Sequence, residues 1–419
     1  MVGADPKFLT RDREARRAGG SRRLRWAAVV SVLVPLSFVL AQCGKAPNTA
    51  MLAANSQASS GDSFDDRFPA TQFKDRFVGA ESAVPRQPTD AGRKRVASAE
   101  PAPYRVASLA PTGPYERPAR QEQTTLVGLK SSAFPYLGNT PRTDTPFLNV
   151  SNGDRRGHRG LRGRVFWQDE TFSDNRTLMH VPEQFDASKP GVIVVFFHGN
   201  GATLERDVRD RQLVPQQISD SGVNAVLLAP QLAVDAADSS AGKFWQPGGL
   251  KRFVNESADH LARLYGDPRA AKTFANMPVI LVGYSGGFVP TAWSLEVGGL
   301  GNRVRGVFLL DAVYGELDKF ASWIENNRSA FFVSSYTHHT RRHDDELMRL
   351  LRDKGITVAE DMDKPLKPGS VVFVATPEGI THRDYVTQAW TEFPVKDVLV
   401  KMAGTPALIR VAASSSANR

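Results

Sequence analysis

Residues 278–287 have the sequence Pro-Val-Ile-Leu-Val-Gly-Tyr-Ser-Gly-Gly, in which an apolar run leads directly into a glycine-rich turn. Unbroken apolar runs of this length are typical of strands that are buried on both faces of a sheet. A helical pattern of apolar residues begins immediately afterwards, at Phe288. This stretch therefore predicts a strand, a sharp turn and a helix, with Ser285 at the turn.

Apolar runs of the same kind recur along the second half of the chain, with helical patterns between them. They occupy residues 192–197, 225–228, 279–282, 307–310, 331–333 and 371–374. Two shorter candidates, 164–168 and 177–181, precede them. Strands that alternate with helices predict an α/β fold, with a mostly parallel, doubly wound sheet of about eight strands covered on both faces. Ligands of such sheets bind at the carboxyl ends of the strands, so chemistry is sought there.

Ser285 is the central residue of a G-x-S-x-G motif, Gly283 to Gly287. A strand-to-helix turn this tight needs small residues beside the serine, and it leaves the serine hydroxyl accessible. The motif alone is common by chance, but its position between a buried strand and a helix favours a nucleophile over an ordinary glycine-rich turn. We therefore predict that Ser285 is a nucleophile.

A second motif, His198-Gly199-Asn200-Gly201, follows the apolar run 192–197. Attack on an acyl carbon places negative charge on oxygen, and preorganised backbone N–H groups stabilise that charge. We expect the N–H of Gly286 to be one such donor and the N–H of Asn200 or Gly201 to be the other. His198 is expected to hold the loop by a hydrogen bond.

These two motifs, in this chain order, resemble those of the α/β-hydrolases, and the resemblance covers residues 161–415. In that family the nucleophile is followed by the acid and then by the histidine. His382 follows the last apolar run, so the resemblance implies that it is the catalytic histidine. The implied activity is that of a serine hydrolase that acts on an ester or amide bond through an acyl-enzyme, with no metal or organic cofactor.

The acid has more than one candidate. Asp311 directly follows the run 307–310, as in a minority arrangement of the family that resembles pancreatic-type lipases. Most family members have the acid after the next strand, which here ends without a carboxylate. We favour Asp311, with Asp344 or Asp345 as the alternative acid, and with a purely structural role for Asp311 as the remaining interpretation.

Two further groups could contact a substrate or an ion. Phe244 and Trp245 follow the run 225–228, where they could contact an apolar or sugar-like group or pack under their own loop. His339 and His343 are four residues apart and could share a helix face, as metal ligands do. Two arginines lie between them, which favours a polar loop at the rim of the cleft over a metal site.

The N-terminal leader, residues 1–43, resembles a bacterial lipoprotein signal. A basic segment that includes Arg22 and Arg25 precedes the uncharged residues 26–42, and Cys43 follows. The resemblance implies that Cys43 is the lipid attachment point, although Gln42 departs from the small residue usual before that cysteine. An ordinary secretory signal is the alternative. Because Cys43 is the only cysteine, a disulfide framework and any multi-cysteine metal site are excluded.

Residues 44–160 contain 12 of the 27 prolines and show no sustained apolar period, so we predict a disordered Pro/Ala/Ser-rich tether before a hydrolase domain at 161–419. The net charge of +9 belongs to the N-terminal part, because residues 161–419 carry 29 Lys and Arg against 30 Asp and Glu. No basic cluster is visible on the predicted domain, so no nucleic-acid partner is expected.

The sequence thus predicts an exported serine hydrolase, tethered to a membrane in the bacterial cell envelope by an N-terminal lipid or signal anchor. Its expected partner is a small-molecule or cell-envelope acyl substrate. A non-catalytic envelope binding protein that retains the same fold is the alternative, because a fold does not determine an activity.

Overall fold

An eight-stranded mixed sheet forms the centre of this computed structural model, which describes residues 121–160 and 163–410. The predicted leader 1–43 with its Cys43, residues 44–120 of the predicted tether and the C-terminal residues 411–419 lie outside the described residues. In the described part, no helix has both the length and the apolar character that crossing a membrane requires.

The strands are named in chain order. They are β1 Gln123–Gly128, β2 Val150–Asn152, β3 Arg155–Arg159, β4 Val165–Trp167, β5 Arg176–Val181, β6 Val192–Phe197, β7 Ala225–Pro230, β8 Val279–Tyr284, β9 Val304–Leu310, β10 Phe331–Tyr336 and β11 Val371–Ala375. The α-helices are α1 Gln168–Thr171, α2 Val214–Asp220, α3 Gly249–Leu264, α4 Ala271–Asn276, α5 Phe288–Val297, α6 Leu317–Asn326, α7 Arg341–Asp353, α8 Pro394–Ala403 and α9 Pro406–Ile409. A π-helix, Leu204–Arg211, precedes α2.

The large sheet has the strand order β1-β5-β7-β6-β8-β9-β10-β11. Strand β5 pairs antiparallel with both β1 and β7, and every pair from β7 to β11 is parallel. The predicted fold class is confirmed: this is an α/β fold whose eight-stranded sheet is mostly parallel and is covered by helices on both faces. Because the parallel strands end at one edge, residues that follow β6, β8, β9 and β11 are brought together there.

Both faces of the sheet are buried, which explains why the central strands are apolar without alternation. In β6, Val192, Val194 and Phe196 pack on one face, where α2, α8, α9 and the π-helix contribute apolar side chains. Ile193, Val195 and Phe197 pack on the other face, together with residues of α3 to α7. Each fully buried side chain of this kind contributes roughly 1.5–3 kcal/mol, so the core holds the strand ends firmly in register.

The predicted tether is corrected at its C-terminal end, because residues 121–160 are part of the folded structure. β1 extends the sheet by pairing with β5, and β2, β3 and β4 form a separate three-stranded antiparallel sheet. Phe134 and Phe147 are fully buried and pack against Phe172. These aromatics are scattered through a proline-containing segment. Because they pack against distant residues and not along one face of a helix or strand, the sequence shows no periodic pattern.

Replacement of Phe147 tests this correction. We expect Phe147→Ala to lower the free energy of unfolding by about 3–5 kcal/mol, because it leaves a cavity in the core. The matched control is Leu137→Ala in the same segment, where the side chain is 64% exposed and the change should be within about 0.5 kcal/mol. Urea unfolding of both variants gives the comparison, and equally small losses would show that the segment is not part of the core.

Candidate active site

Ser285 lies at the turn between β8 and α5, where its backbone has φ 52°. A non-glycine residue in this region is strained by about 1–3 kcal/mol, so the surroundings must hold it in place. Close packing does this: a Cβ on Gly286 would lie 2.1 Å from Oδ1 of Asn200, and one on Gly287 would lie 2.2 Å from the carbonyl oxygen of Phe197. The turn therefore excludes side chains beside Ser285.

Three side chains predicted from separate parts of the sequence meet at this turn. Nε2 of His382 lies 2.8 Å from Oγ of Ser285, and Nδ1 of His382 lies 2.5 Å from Oδ2 of Asp311. All three residues are buried. The carboxylate accepts a hydrogen bond from Nδ1–H, so Nε2 is free to accept the proton of the serine hydroxyl. The arrangement can thus remove a proton from Ser285.

Asp311 directly follows β9, and its carboxylate is held by a dense set of donors. Oδ1 accepts hydrogen bonds from the backbone N–H of Thr337 at 2.9 Å and from the hydroxyl of Thr340 at 2.9 Å. Burial alone would raise the pKa of Asp311, but the hydrogen bond and charge of His382 and the hydrogen bonds from Thr337 outweigh it, so the pKa is lowered. Asp311 is therefore ionised at neutral pH.

The alternative acids do not reach the histidine. Asp344 is buried on the first turn of α7, where its Oδ1 accepts a hydrogen bond from the Ser334 hydroxyl at 2.5 Å. Asp345 is exposed on the same helix. In the described structure, Asp311 is thus the carboxylate that hydrogen-bonds to His382.

Tyr284 contacts His382 through its ring and its hydroxyl, and both contacts hold His382 in position. Its ring stacks on the imidazole with centroids 5.3 Å apart, and its hydroxyl donates to the carbonyl oxygen of His382 at 2.7 Å. Burial raises the pKa of Tyr284, so the hydroxyl keeps its proton and stays a donor. His382 therefore has little freedom to turn away from Ser285.

One of the oxyanion donors predicted in the glycine-rich loop after β6 is wrong. The N–H of Gly201 donates to the carbonyl oxygen of Ala236 at 2.9 Å, so Gly201 cannot stabilise an oxyanion. The N–H of Asn200 has no carbonyl partner among residues 121–160 and 163–410, and its side chain packs directly against Gly286. Asn200 and Gly286 are thus two residues of the predicted oxyanion site that lie in contact.

His198 holds the loop after β6 through hydrogen bonds, as its position in the sequence predicts. Its ring is buried, with Nδ1 2.8 Å from the carbonyl oxygen of Gly199, while Nε2 accepts from the N–H of Leu232 at 2.9 Å. Burial lowers the pKa of His198, which keeps the ring neutral and able to accept. The ring joins the loop after β6 to the chain after β7.

The predicted role of Phe244 in binding substrate is wrong. Its side chain is fully buried and packs edge-on against Phe197 and Phe253, because a 3₁₀ turn directs the ring into the core. Trp245 is half-buried against Tyr136 and Phe147 of the N-terminal segment. Phe244 is thus buried beneath its own loop, as in the alternative interpretation, whereas Trp245 packs against the N-terminal segment.

Other rings lie near His382; the sequence analysis singled out His339 among them but missed Tyr314 and Phe288. Tyr314 and His339 are half-buried, and their ring centroids lie 6.2 Å and 6.0 Å from that of His382. Phe288, also half-buried, lies 6.1 Å from Tyr314. A usable signal existed, because Phe288 and Tyr314 each come three residues after a predicted site residue, Ser285 or Asp311. These rings form an aromatic wall at the site.

The histidines at 338–343 do not form the helix face that their spacing suggested. α7 begins at Arg341, so His339 lies before the helix and His343 within it. Within the described ranges, no group of three or more His, Cys, Asp or Glu residues could hold a metal ion.

Comparisons with known proteins find likenesses of structure alone. No protein-family model matches the chain, and no curated protein matches it. A feruloyl esterase module from Clostridium thermocellum, solved with sinapinate, is 14% identical, with 64% of this chain and 95% of that one covered at a TM-score of 0.37. An S-formylglutathione hydrolase from Agrobacterium tumefaciens is 10% identical, with 59% and 94% covered at 0.33. These TM-scores lie below 0.5, so the chemistry must be judged from the site itself.

The tight turn around Ser285 can be tested by adding a methyl group. We expect Gly287→Ala to destabilise the protein by at least about 1–3 kcal/mol, because the new Cβ meets the backbone oxygen of Phe197, which cannot move cheaply. Gly404→Ala is the control, since its Cβ would meet nothing within 4 Å. Thermal unfolding of the two variants should separate them clearly, and equal stability would refute the packing described for the turn.

Proposed function

We propose that the protein is an exported serine hydrolase that cleaves an ester, or an amide, of a small-molecule or cell-envelope acyl substrate. The observation that carries this proposal is the hydrogen-bonded series from Asp311 through His382 to Ser285, with distances of 2.5 and 2.8 Å, at a strained strand-to-helix turn. A nucleophile, a base and an orienting carboxylate in this geometry are what acyl transfer needs.

In the proposed reaction, Oγ of Ser285 attacks the acyl carbon while Nε2 of His382 takes the hydroxyl proton. The tetrahedral intermediate then collapses, the bond to the leaving group breaks, and His382 returns the proton to the leaving oxygen or nitrogen. Water adds to the acyl-enzyme by the same steps, with His382 as base, and releases the acid and free Ser285. Asp311 stays ionised and stabilises the imidazolium in both halves.

The negative charge of each intermediate falls on the former carbonyl oxygen. The N–H groups of Gly286 and Asn200 are the proposed donors, and each such donor lowers the barrier by roughly 3–4 kcal/mol. The side chain of Asn200 packs on Gly286, which holds the two residues in contact before the charge develops. Side chains and backbone supply every step, so the proposed reaction requires no metal or organic cofactor.

The aromatic wall of Phe288, Tyr314 and His339 borders the position of the acyl or alcohol group. We propose that these rings, rather than Phe244 and Trp245, contact the substrate. Rings that are half-buried beside a nucleophile suit apolar or flat groups, which they can bury at low entropic cost.

Substitution of the nucleophile tests the proposed activity. We expect Ser285→Ala to lower kcat for a short p-nitrophenyl ester by at least about 10³-fold, with the fold intact by circular dichroism. Ser173→Ala is the control, since Ser173 is exposed and its hydroxyl donates to the backbone oxygen of Asp169. A variant at Ser285 that keeps more than a few per cent of the rate would exclude it as nucleophile. A wild-type protein inert to an ester and amide panel would favour the binding-protein alternative.

We also propose that the leader directs export and that Cys43 carries the lipid, with residues 44–120 linking it to the domain. The basic segment, the uncharged run and the single cysteine support this. Cys43→Ala should abolish metabolic labelling with palmitate and release the protein from the membrane fraction, while hydrolysis stays unchanged. Labelling that survives the substitution would contradict the lipid attachment.

A further inference from the structure

The loop after β7, residues 231–241, runs beside the glycine-rich loop after β6 and is hydrogen-bonded to it at several points. Its backbone binds the ring of His198 and the N–H of Gly201. A further contact joins two side chains, because the hydroxyl of Ser239 donates to Oδ1 of Asn200 at 3.1 Å. The structure thus places Ser239, which the proposed reaction does not use, on a residue of the oxyanion site.

Ser239 also touches the other residue of the oxyanion site. A Cβ on Gly286 would lie 2.7 Å from Oγ of Ser239 and 2.1 Å from Oδ1 of Asn200. The hydroxyl, the amide oxygen and the α-carbon of Gly286 therefore meet at one point. Ser239 is half-buried there, so its side chain is part of the packed loop and not of the open surface.

Asn200 has the only side chain in the segment 199–201, because Gly199 and Gly201 flank it. Glycine allows many backbone conformations, and Gly201 uses this freedom, since its φ is 72°. The glycines on both sides therefore restrict the backbone of Asn200 less than ordinary residues would. A hydrogen bond to the Asn200 side chain adds a restriction that the neighbouring residues do not supply.

Ser239 is itself held in place by the residues around it. The N–H of Ser240 donates to Oδ1 of Asp238 at 2.8 Å, which closes a turn around Ser239. Oδ2 of Asp238 lies 3.8 Å from Nε2 of His158 on β3, and the ring of His158 stacks on Phe147 with centroids 4.3 Å apart. The folded segment 121–160 thus supports the turn that carries Ser239.

We propose that Ser239 is a positioning residue of the oxyanion site: its hydroxyl holds the side chain of Asn200 against Gly286 and so keeps the N–H of Asn200 directed at the oxyanion. This inference rests on the proposed function, since it requires Asn200 as a donor. Oxyanion donors act mainly on the transition state, so loss of the Ser239 hydroxyl lowers kcat and leaves KM almost unchanged.

A direct role for Ser239 makes a different prediction. If Ser239 acts through Asn200, truncation of either side chain breaks the same hydrogen bond and leaves the same backbone N–H groups. Combining the two truncations then adds little to the effect of one. If the Ser239 hydroxyl instead donated to the oxyanion itself, the two effects would be independent and would multiply.

The experiment measures kcat and KM of the full-length protein with a short p-nitrophenyl ester. It compares the wild type with Ser239→Ala, Asn200→Ala and the double variant. Ser240→Ala is the matched control in the same turn, because the hydrogen bond from Ser240 to Asp238 is made by the backbone N–H, which alanine keeps. Circular dichroism checks that each variant is folded.

We expect each single variant at Ser239 or Asn200 to lower kcat by about 10- to 100-fold, with KM within about 2-fold of the wild type. The double variant should be within about 3-fold of the slower single variant, and Ser240→Ala within about 2-fold of the wild type. A kcat of Ser239→Ala within about 2-fold of the wild type would overturn the proposal. Multiplied effects in the double variant, or a change confined to KM, would also overturn it.

A second readout keeps this test separate from that of the proposed function. Amide hydrogen exchange of residues 198–201, followed by mass spectrometry, should be faster in Ser239→Ala than in the wild type or Ser240→Ala, because the loop has lost a hydrogen bond. Exchange at the wild-type rate would contradict the holding role of Ser239. If the wild type hydrolyses no ester, the proposed function fails, while exchange still decides whether Ser239 holds the loop. If the wild type is active and Ser239→Ala matches it, only the proposal for Ser239 fails.

Discussion

The hydrogen bond between Nδ1 of His382 and the buried carboxylate of Asp311 is the interaction on which the site depends. It sets the proton position on the imidazole and so decides whether Nε2 can act on Ser285. A buried carboxylate is stable only when its oxygens are well supplied with donors. The chain after β10 supplies them through Thr337 and Thr340, which ties the site to the start of α7.

The parallel sheet makes this arrangement possible. Its strands end at one edge, so Ser285, Asp311 and His382 meet although up to 97 residues separate them along the chain. Ser285 and Asp311 both have positive φ, 52° and 43°, directly after buried strands. The core on both faces of the sheet offsets this strain, which is how a stable fold can hold strained residues at a site.

Much of the fold and of the site could be predicted from the sequence, because the signals were local. Buried parallel strands leave unbroken apolar runs, and the residues just after them, Ser285, Asp311 and His382, are the ones that meet. The misses depend on contacts between distant residues. No local pattern shows that the N–H of Gly201 donates to the carbonyl oxygen of Ala236, or that the ring of Phe244 is buried in the core. Residues 121–160 fold because their buried aromatic side chains pack against residues that lie further along the sequence.

The most direct test of the account is the rate of inactivation by a fluorophosphonate, with the adduct located by peptide mass mapping. The account predicts one adduct per chain, on Ser285, and a reaction slowed by about 10⁴-fold in Asp311→Asn, where the histidine loses its orienting carboxylate. An adduct on another residue, or equal rates for wild type and Asp311→Asn, would contradict the claim that this hydrogen-bonded series activates Ser285.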